Sequence, residues 1–121
     1  MSEIAWWAWV LAVAAGSAGA LLRTWLVRRL VKRPVPLGVL AANTIASAVG
    51  GAVVADRHAL GVMWSLVLVG GFCGGLSTLS TLAADTVELW VEDRRRDAVV
   101  NVVTNVAIGL AAVWGAWAIV S

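Results

Sequence analysis

The sequence predicts an all-α membrane protein of four transmembrane helices, the third of them broken in mid-membrane. Three observations predict it. First, 61% of the 121 residues are hydrophobic and 13% are charged, and mean hydropathy is +0.90, which lies outside the balance of globular domains. Second, the apolar residues gather in four stretches parted by short polar loops. A span needs about 20 apolar residues, so the length allows about four spans in one domain over residues 1–121 and no separate soluble unit. Third, the stretch GGFCGGLSTLSTL at residues 70–82 places four glycines and four hydroxyl residues where a membrane helix most needs continuity.

The first span is expected over about residues 4–27. Trp6, Trp7 and Trp9 stand near one end and Trp25 near the other, and tryptophan favours the headgroup boundary. Arg23 lies one turn inside the far end. Its long side chain can snorkel to the interface, or it can pair with a buried acid or a backbone carbonyl. The N-terminus has small residues that a signal peptidase would accept. It carries Glu3 and no Lys or Arg, however, which argues against a cleaved signal.

The basic loop Arg28-Arg29-Leu30-Val31-Lys32-Arg33-Pro34-Val35-Pro36 follows, closed by prolines that cannot continue a helix. The second span, about 37–55, holds Asn43 among small residues. A carboxamide in hydrocarbon must find partners, either as interhelical glue or on a wet path. Asp56-Arg57-His58 makes a polar turn. His58 is the only histidine and is expected to be solvated, with no second ligand at metal spacing. Cys73 is the only cysteine, so neither an intrachain disulfide nor a thiolate cluster can form within one chain.

Residues 59–91 would reach about 50 Å as one helix, against a hydrocarbon core of about 30 Å. A break near 73–78 resolves the excess, with one half-helix up to about Phe72 and another from about Thr78 to Trp90. Irregular backbone at membrane depth is tolerated only where protein buries it or where it lines a polar cavity, which makes the break the candidate functional site. Freed carbonyls there suit a small hard cation such as Na⁺, and the hydroxyls of Ser77, Thr78, Ser80 and Thr81 suit an anion or a cation. The alternative is that Gly70/Gly74 and Gly71/Gly75 are close-packing faces for a dimer, with the hydroxyls bonded back to carbonyls one turn earlier.

The fourth span is expected over about 98–120. Asn101, Thr104 and Asn105 are spaced i, i+3 and i+4 and share one face. Taken with Asn43, they favour a wet path over a partner-helix contact. Seven of the nine Lys and Arg residues sit in or beside two loops, a pattern that suits lipid headgroups and topology rather than nucleic acid. No phosphate-loop spacing follows a strand, and the lone His58 cannot complete a nucleophilic triad, so the chain does not read as an enzyme.

Three segments resemble the small fluoride channels of the Fluc, or CrcB, family. They are Gly16-Ser17-Ala18-Gly19-Ala20-Leu21-Leu22-Arg23, then Leu37-Gly38-Val39-Leu40-Ala41-Ala42-Asn43, and most specifically residues 70–82, similar to the family's GFCGG followed by TTFSTF. The resemblance implies an antiparallel dimer of four-helix subunits in the cell membrane, exporting fluoride passively through two pores. It implies a structural Na⁺ held by the carbonyls of Gly74 and Ser77. It places Asn43, Leu79, Ser80, Thr81 and Leu82 at the pore, with Asn101 and Asn105 on a polar track. Asp85 stands where the family usually has glutamate.

The chain also departs from the family, which has phenylalanines where Leu79 and Leu82 stand here. Aromatic edges carry partial positive charge that can face an anion, and isobutyl groups do not. The loops after the first and third spans carry Arg28, Arg29, Lys32, Arg33, Arg94, Arg95 and Arg96, and the opposite side carries only Arg57. Positive charge stays cytoplasmic, so one orientation is expected, with both termini outside. An antiparallel homodimer needs both orientations. The expectation is therefore a heterodimer with a homologous subunit of opposite bias that supplies the phenylalanines. Two other readings stay open: a four-helix drug or cation:proton antiporter using Asp85 and Glu88, and a non-conducting structural subunit.

Overall fold

The computed structural model describes residues 4–32 and 34–121. Glu3 and Arg33, which entered the signal-peptide and charge readings, lie outside the described residues. Among the described residues there are six α-helices: α1 (Trp6–Arg29), α2 (Leu37–Ala55), α3 (Arg57–Ser65), α4 (Gly74–Leu76), α5 (Leu79–Val91) and α6 (Arg95–Val120). A π-helical stretch, Leu66–Cys73, joins α3 to α4. Together, the run Arg57–Val91 is the third of four segments long and apolar enough to cross a membrane. The protein is a multi-pass membrane protein.

At the basic-loop end α1 and α6 run two and three residues beyond the spans predicted for them. Helix α6 begins at Arg95, with Asp97 in its first turn, where an acid complements the helix dipole. Helix α1 ends with Arg28 and Arg29 in its last turn, where cations do the same. At the start of the third segment Gly61 takes φ +83°, a left-handed conformation that costs glycine little and kinks α3.

Two helix pairs form the bundle: α1 lies along the π stretch and α4, and α2 lies along α6. A cluster of Leu26, Ala42, Ala46, Cys73 and Leu76 joins them, with Leu22 and Phe72 against it. The contact between α1 and the third segment is backbone on backbone. A side chain on Gly75 would collide with the carbonyl of Gly16, and one on Gly19 would meet that of Phe72. Small residues let membrane helices approach this closely, and the approach replaces the hydrophobic drive that lipid cannot supply.

This packing corrects the expected extent of the break. The glycines at 70–75 are not unwound; the backbone stays helical through Leu76. Only Ser77 (φ −76°, ψ 153°) and Thr78 (φ −149°, ψ 114°) are extended. Gly71 and Gly75 serve the contact with α1, whereas Gly70 and Gly74 lie on the exposed face, Gly74 with nothing closer than 3.7 Å to an added side chain.

The two basic loops share one end of the bundle, because Arg94 donates a hydrogen bond to the carbonyl of Pro34. Arg94 also binds Asp97 at 3.0 Å, and Arg95 stacks 4.9 Å over Trp90. At the other end Trp7 and Trp64 approach within 6.2 Å.

Candidate functional site

The site is the two-residue gap between α4 and α5, and it exists because a side chain replaces the helix. The last regular bond before it is Ser77 N–H to Cys73 O at 2.9 Å. In a continuous helix the amide of Thr78 would donate to Gly74. Here it donates to Asn43 Oδ1 at 2.8 Å, and Asn43 Nδ2 donates back to the Thr78 carbonyl at 3.3 Å. One carboxamide from α2 thus satisfies both polar groups of the extended residue, as buried backbone requires. The Gly74 carbonyl loses its usual donor.

Beyond the gap, Thr78 caps α5: its Oγ1 accepts from Thr81 N–H at 3.1 Å, a contribution of about 1 kcal/mol. Ser80 Oγ lies 3.5 Å from the same hydroxyl. Ser77 and Ser80 are exposed on the protomer, and Leu79 is 79% exposed.

The asparagines form a chain leading away from the gap. Asn43 Nδ2 donates to Asn105 Oδ1 at 3.0 Å. Asn105 Nδ2 donates to the Asn101 carbonyl at 2.8 Å and to Asn101 Oδ1 at 3.3 Å. Asn101, fully buried, donates to Thr86 Oγ1 at 3.1 Å. The amide hydrogens of Asn43 and Asn105 are therefore all committed within the protomer. An amide offers two donors, and each of these two residues spends both on protein oxygens. The donors left for a solute are hydroxyls at the gap. Thr104, by contrast, bonds back to Val100 at 2.7 Å on its own helix.

The predicted residues fall into separate places. Asn43, Leu79, Leu82 and Asn105 line one groove of about 260 Å³, with Ser47, Ser77, Thr78 and Val106. Thr81 and Asp85 open onto a different cavity of about 360 Å³, shared with Glu88, Glu92, Lys32 and Arg94 at the basic-loop end. Arg23 is half-buried and, among the described residues, makes no side-chain hydrogen bond or ion pair. His58 is exposed, as expected. Among the described residues no group of three His, Cys, Asp or Glu side chains stands at metal-binding distance.

Sequence reasoning did not assign Ser47 or Thr86 to the site, and it read Arg94 only as a loop charge. Ser47 is one turn from Asn43 on α2, so the helical repeat places both on one face. Thr86 carries no signal beyond its hydroxyl, and the tie of Arg94 to Pro34 spans two loops.

The family described as CrcB-like protein, Camphor Resistance (CrcB), matches residues 10–117. The chain belongs to this family. Among CrcB-family relatives, the fluoride-specific ion channel FluC of Klebsiella pneumoniae (strain 342) is 40% identical over 95 residues, covering 74% of this chain and 75% of its own. FluC of Chromobacterium violaceum is 38% identical over 107 residues, covering 84% and 85%. FluC 1 of Nocardia farcinica is 38% identical over 106 residues, covering 84% and 72%. The CrcB match includes the gap, the asparagine chain and α1 from Val10 onward.

Proposed function

We propose that this chain is one subunit of a fluoride-conducting channel that lowers cytoplasmic fluoride by passive export, and that it works paired with a homologous subunit inserted the other way round. The observation that carries the channel reading is the gap itself, a helix broken at membrane depth and held open by Asn43 in a CrcB-family chain whose relatives are named for fluoride. Fluoride is a small, strongly hydrated anion that needs hydrogen-bond donors in place of water. The hydroxyls of Ser77, Thr78 and Ser80 stand at the gap to give them.

Two features support an unlike partner. The only phenylalanine, Phe72, packs on the core, so this chain has no ring at the gap, and the exposed Leu79 and the neighbouring Leu82 hold the places where ring edges would face an anion. The basic residues also concentrate at one end of the bundle, which favours one orientation. A partner with the opposite charge bias and aromatic residues at these positions would complete the pore.

The same gap fits a structural Na⁺. The Gly74 carbonyl has lost the Thr78 donor, Ser77 is extended beside it, and both lie on the exposed face. Two oxygens from one chain are too few for a hard cation, and the matching pair from a partner would bring the count to four. Bound there, the ion would tie the two gaps together and add positive charge near the anion path.

An antiporter reading has less support. Asp85 and Glu88 share their cavity with Lys32 and Arg94 near the loop end, whereas cation–proton exchange calls for an unpaired carboxylate within the spans. The test is topology mapping by cysteine labelling, combined with rescue of fluoride-sensitive bacteria. The expected result is one orientation, with resistance only when a homologous subunit is co-expressed. Equal populations of both orientations, with resistance from this chain alone, would reject the pairing.

A further inference from the structure

Helix α5 carries Leu79, Ser80 and Leu82, so its rotation and tilt decide where they point. Yet little apolar packing holds it: Leu89 is its one buried residue, and its main neighbour is α6. Two polar ties fix it instead. One is the Asn43–Thr78 pair at its start. The other is Asn101 Nδ2 to Thr86 Oγ1 at 3.1 Å, two turns along. Among the described residues this is the one side-chain hydrogen bond between α5 and α6.

We propose that Thr86 is a positioning residue for the gap. Its own proton is committed to the Leu82 carbonyl at 2.7 Å, so its hydroxyl acts toward α6 as an acceptor. That fixes which way the Asn101 amide faces: nitrogen to Thr86, oxygen to Asn105. A reversed Asn101 would set nitrogen against nitrogen at Asn105, whose own orientation is bound to the Asn101 carbonyl and to Asn43. The run from Thr86 through Asn101, Asn105 and Asn43 to Thr78 is therefore a closed loop returning to the same half-helix. Removing its acceptor at Thr86 frees α5 to turn about the Thr78 anchor and moves the residues of its first turn relative to the groove. Thr86 touches no solute in this role; it acts through Asn101.

The test uses the conducting assembly and two readouts. Hydrogen exchange over residues 77–82 reads the gap directly. Fluoride efflux from liposomes reads its consequence and rests on the channel reading given above. Thr86→Val keeps the shape and removes the acceptor. It is expected to raise exchange in the gap about fivefold and to lower fluoride efflux about tenfold, the scale of one buried hydrogen bond. Thr86→Ser, which keeps the hydroxyl, should stay within about twofold of the parent on both. In an Asn101→Ala background Thr86→Val should add nothing further. If Thr86→Val does not assemble, Thr86→Ala, which leaves a small gap, is measured in the same way. Exchange in the gap unchanged by both variants overturns the proposal, as does equal loss in Thr86→Ser. An unmutated assembly that carries no fluoride, with exchange still raised in Thr86→Val, would overturn the channel reading and leave the positioning role supported.

Discussion

The two halves of the third membrane segment solve the same problem by opposite means. Before the gap, the π stretch and α4 lie against α1 with backbone touching backbone, and nothing larger than hydrogen fits at Gly19 or Gly75. After it, α5 is tied by four side-chain hydrogen bonds to its own cap and to two asparagines, with one buried leucine. Lipid offers no hydrophobic drive for helices to associate, so a fixed half comes from close packing and an adjustable half from polar ties. The gap falls where one regime meets the other. Residues that must present a chosen face to a solute lie on the half whose orientation hydrogen bonds can set.

Breaking the packed half should cost most. Gly75→Val would force its side chain into the Gly16 carbonyl, a cost of about 3 kcal/mol or more, and is expected to abolish a monodisperse assembly on size-exclusion chromatography. Its neighbour sharpens the comparison. Gly74→Ala meets only an ordinary contact, the Val69 carbonyl at 3.7 Å, and should change the thermal stability of the isolated subunit by less than about 0.5 kcal/mol, although it faces the surface proposed for the partner.

The polar half should respond in smaller steps. Asn43→Leu leaves the amide and carbonyl of Thr78 without their partner and removes the end of the asparagine chain. A loss of about 2 to 3 kcal/mol is expected in thermal unfolding. Thr78→Ala removes only the cap, with an expected cost of about 1 kcal/mol. Replacing Arg94 with Ala should cost less than Thr78→Ala, under about 1 kcal/mol, because its partners are at the exposed loop end.

The parts of this arrangement differ in how far the sequence disclosed them. Four spans, the break and the shared face of Asn101 and Asn105 followed from apolar length, from hydroxyls inside a membrane stretch and from helical periodicity. The placement of the break to two residues did not. Glycine serves both unwinding and close approach, and the letters Gly71 and Gly75 look the same in either role; only the position of α1 decides between them. Thr86 was invisible for a related reason. A threonine in a membrane helix commonly bonds back to its own backbone, as this one does, and its second bond depends on which face of α6 lies opposite. The loop charges disclosed which end of the bundle they share, because the topology rule counts residues rather than contacts.

The measurement closest to the central claim is fluoride efflux from liposomes, made with the purified chain alone and again after co-expression with a homologous subunit that carries phenylalanines at the positions of Leu79 and Leu82. The account predicts efflux from the pair and none from the single chain, since the chain inserts in one orientation and brings no ring to the gap. Efflux from the chain alone would contradict it, showing that leucines suffice in the pore and that the loop charges do not fix orientation.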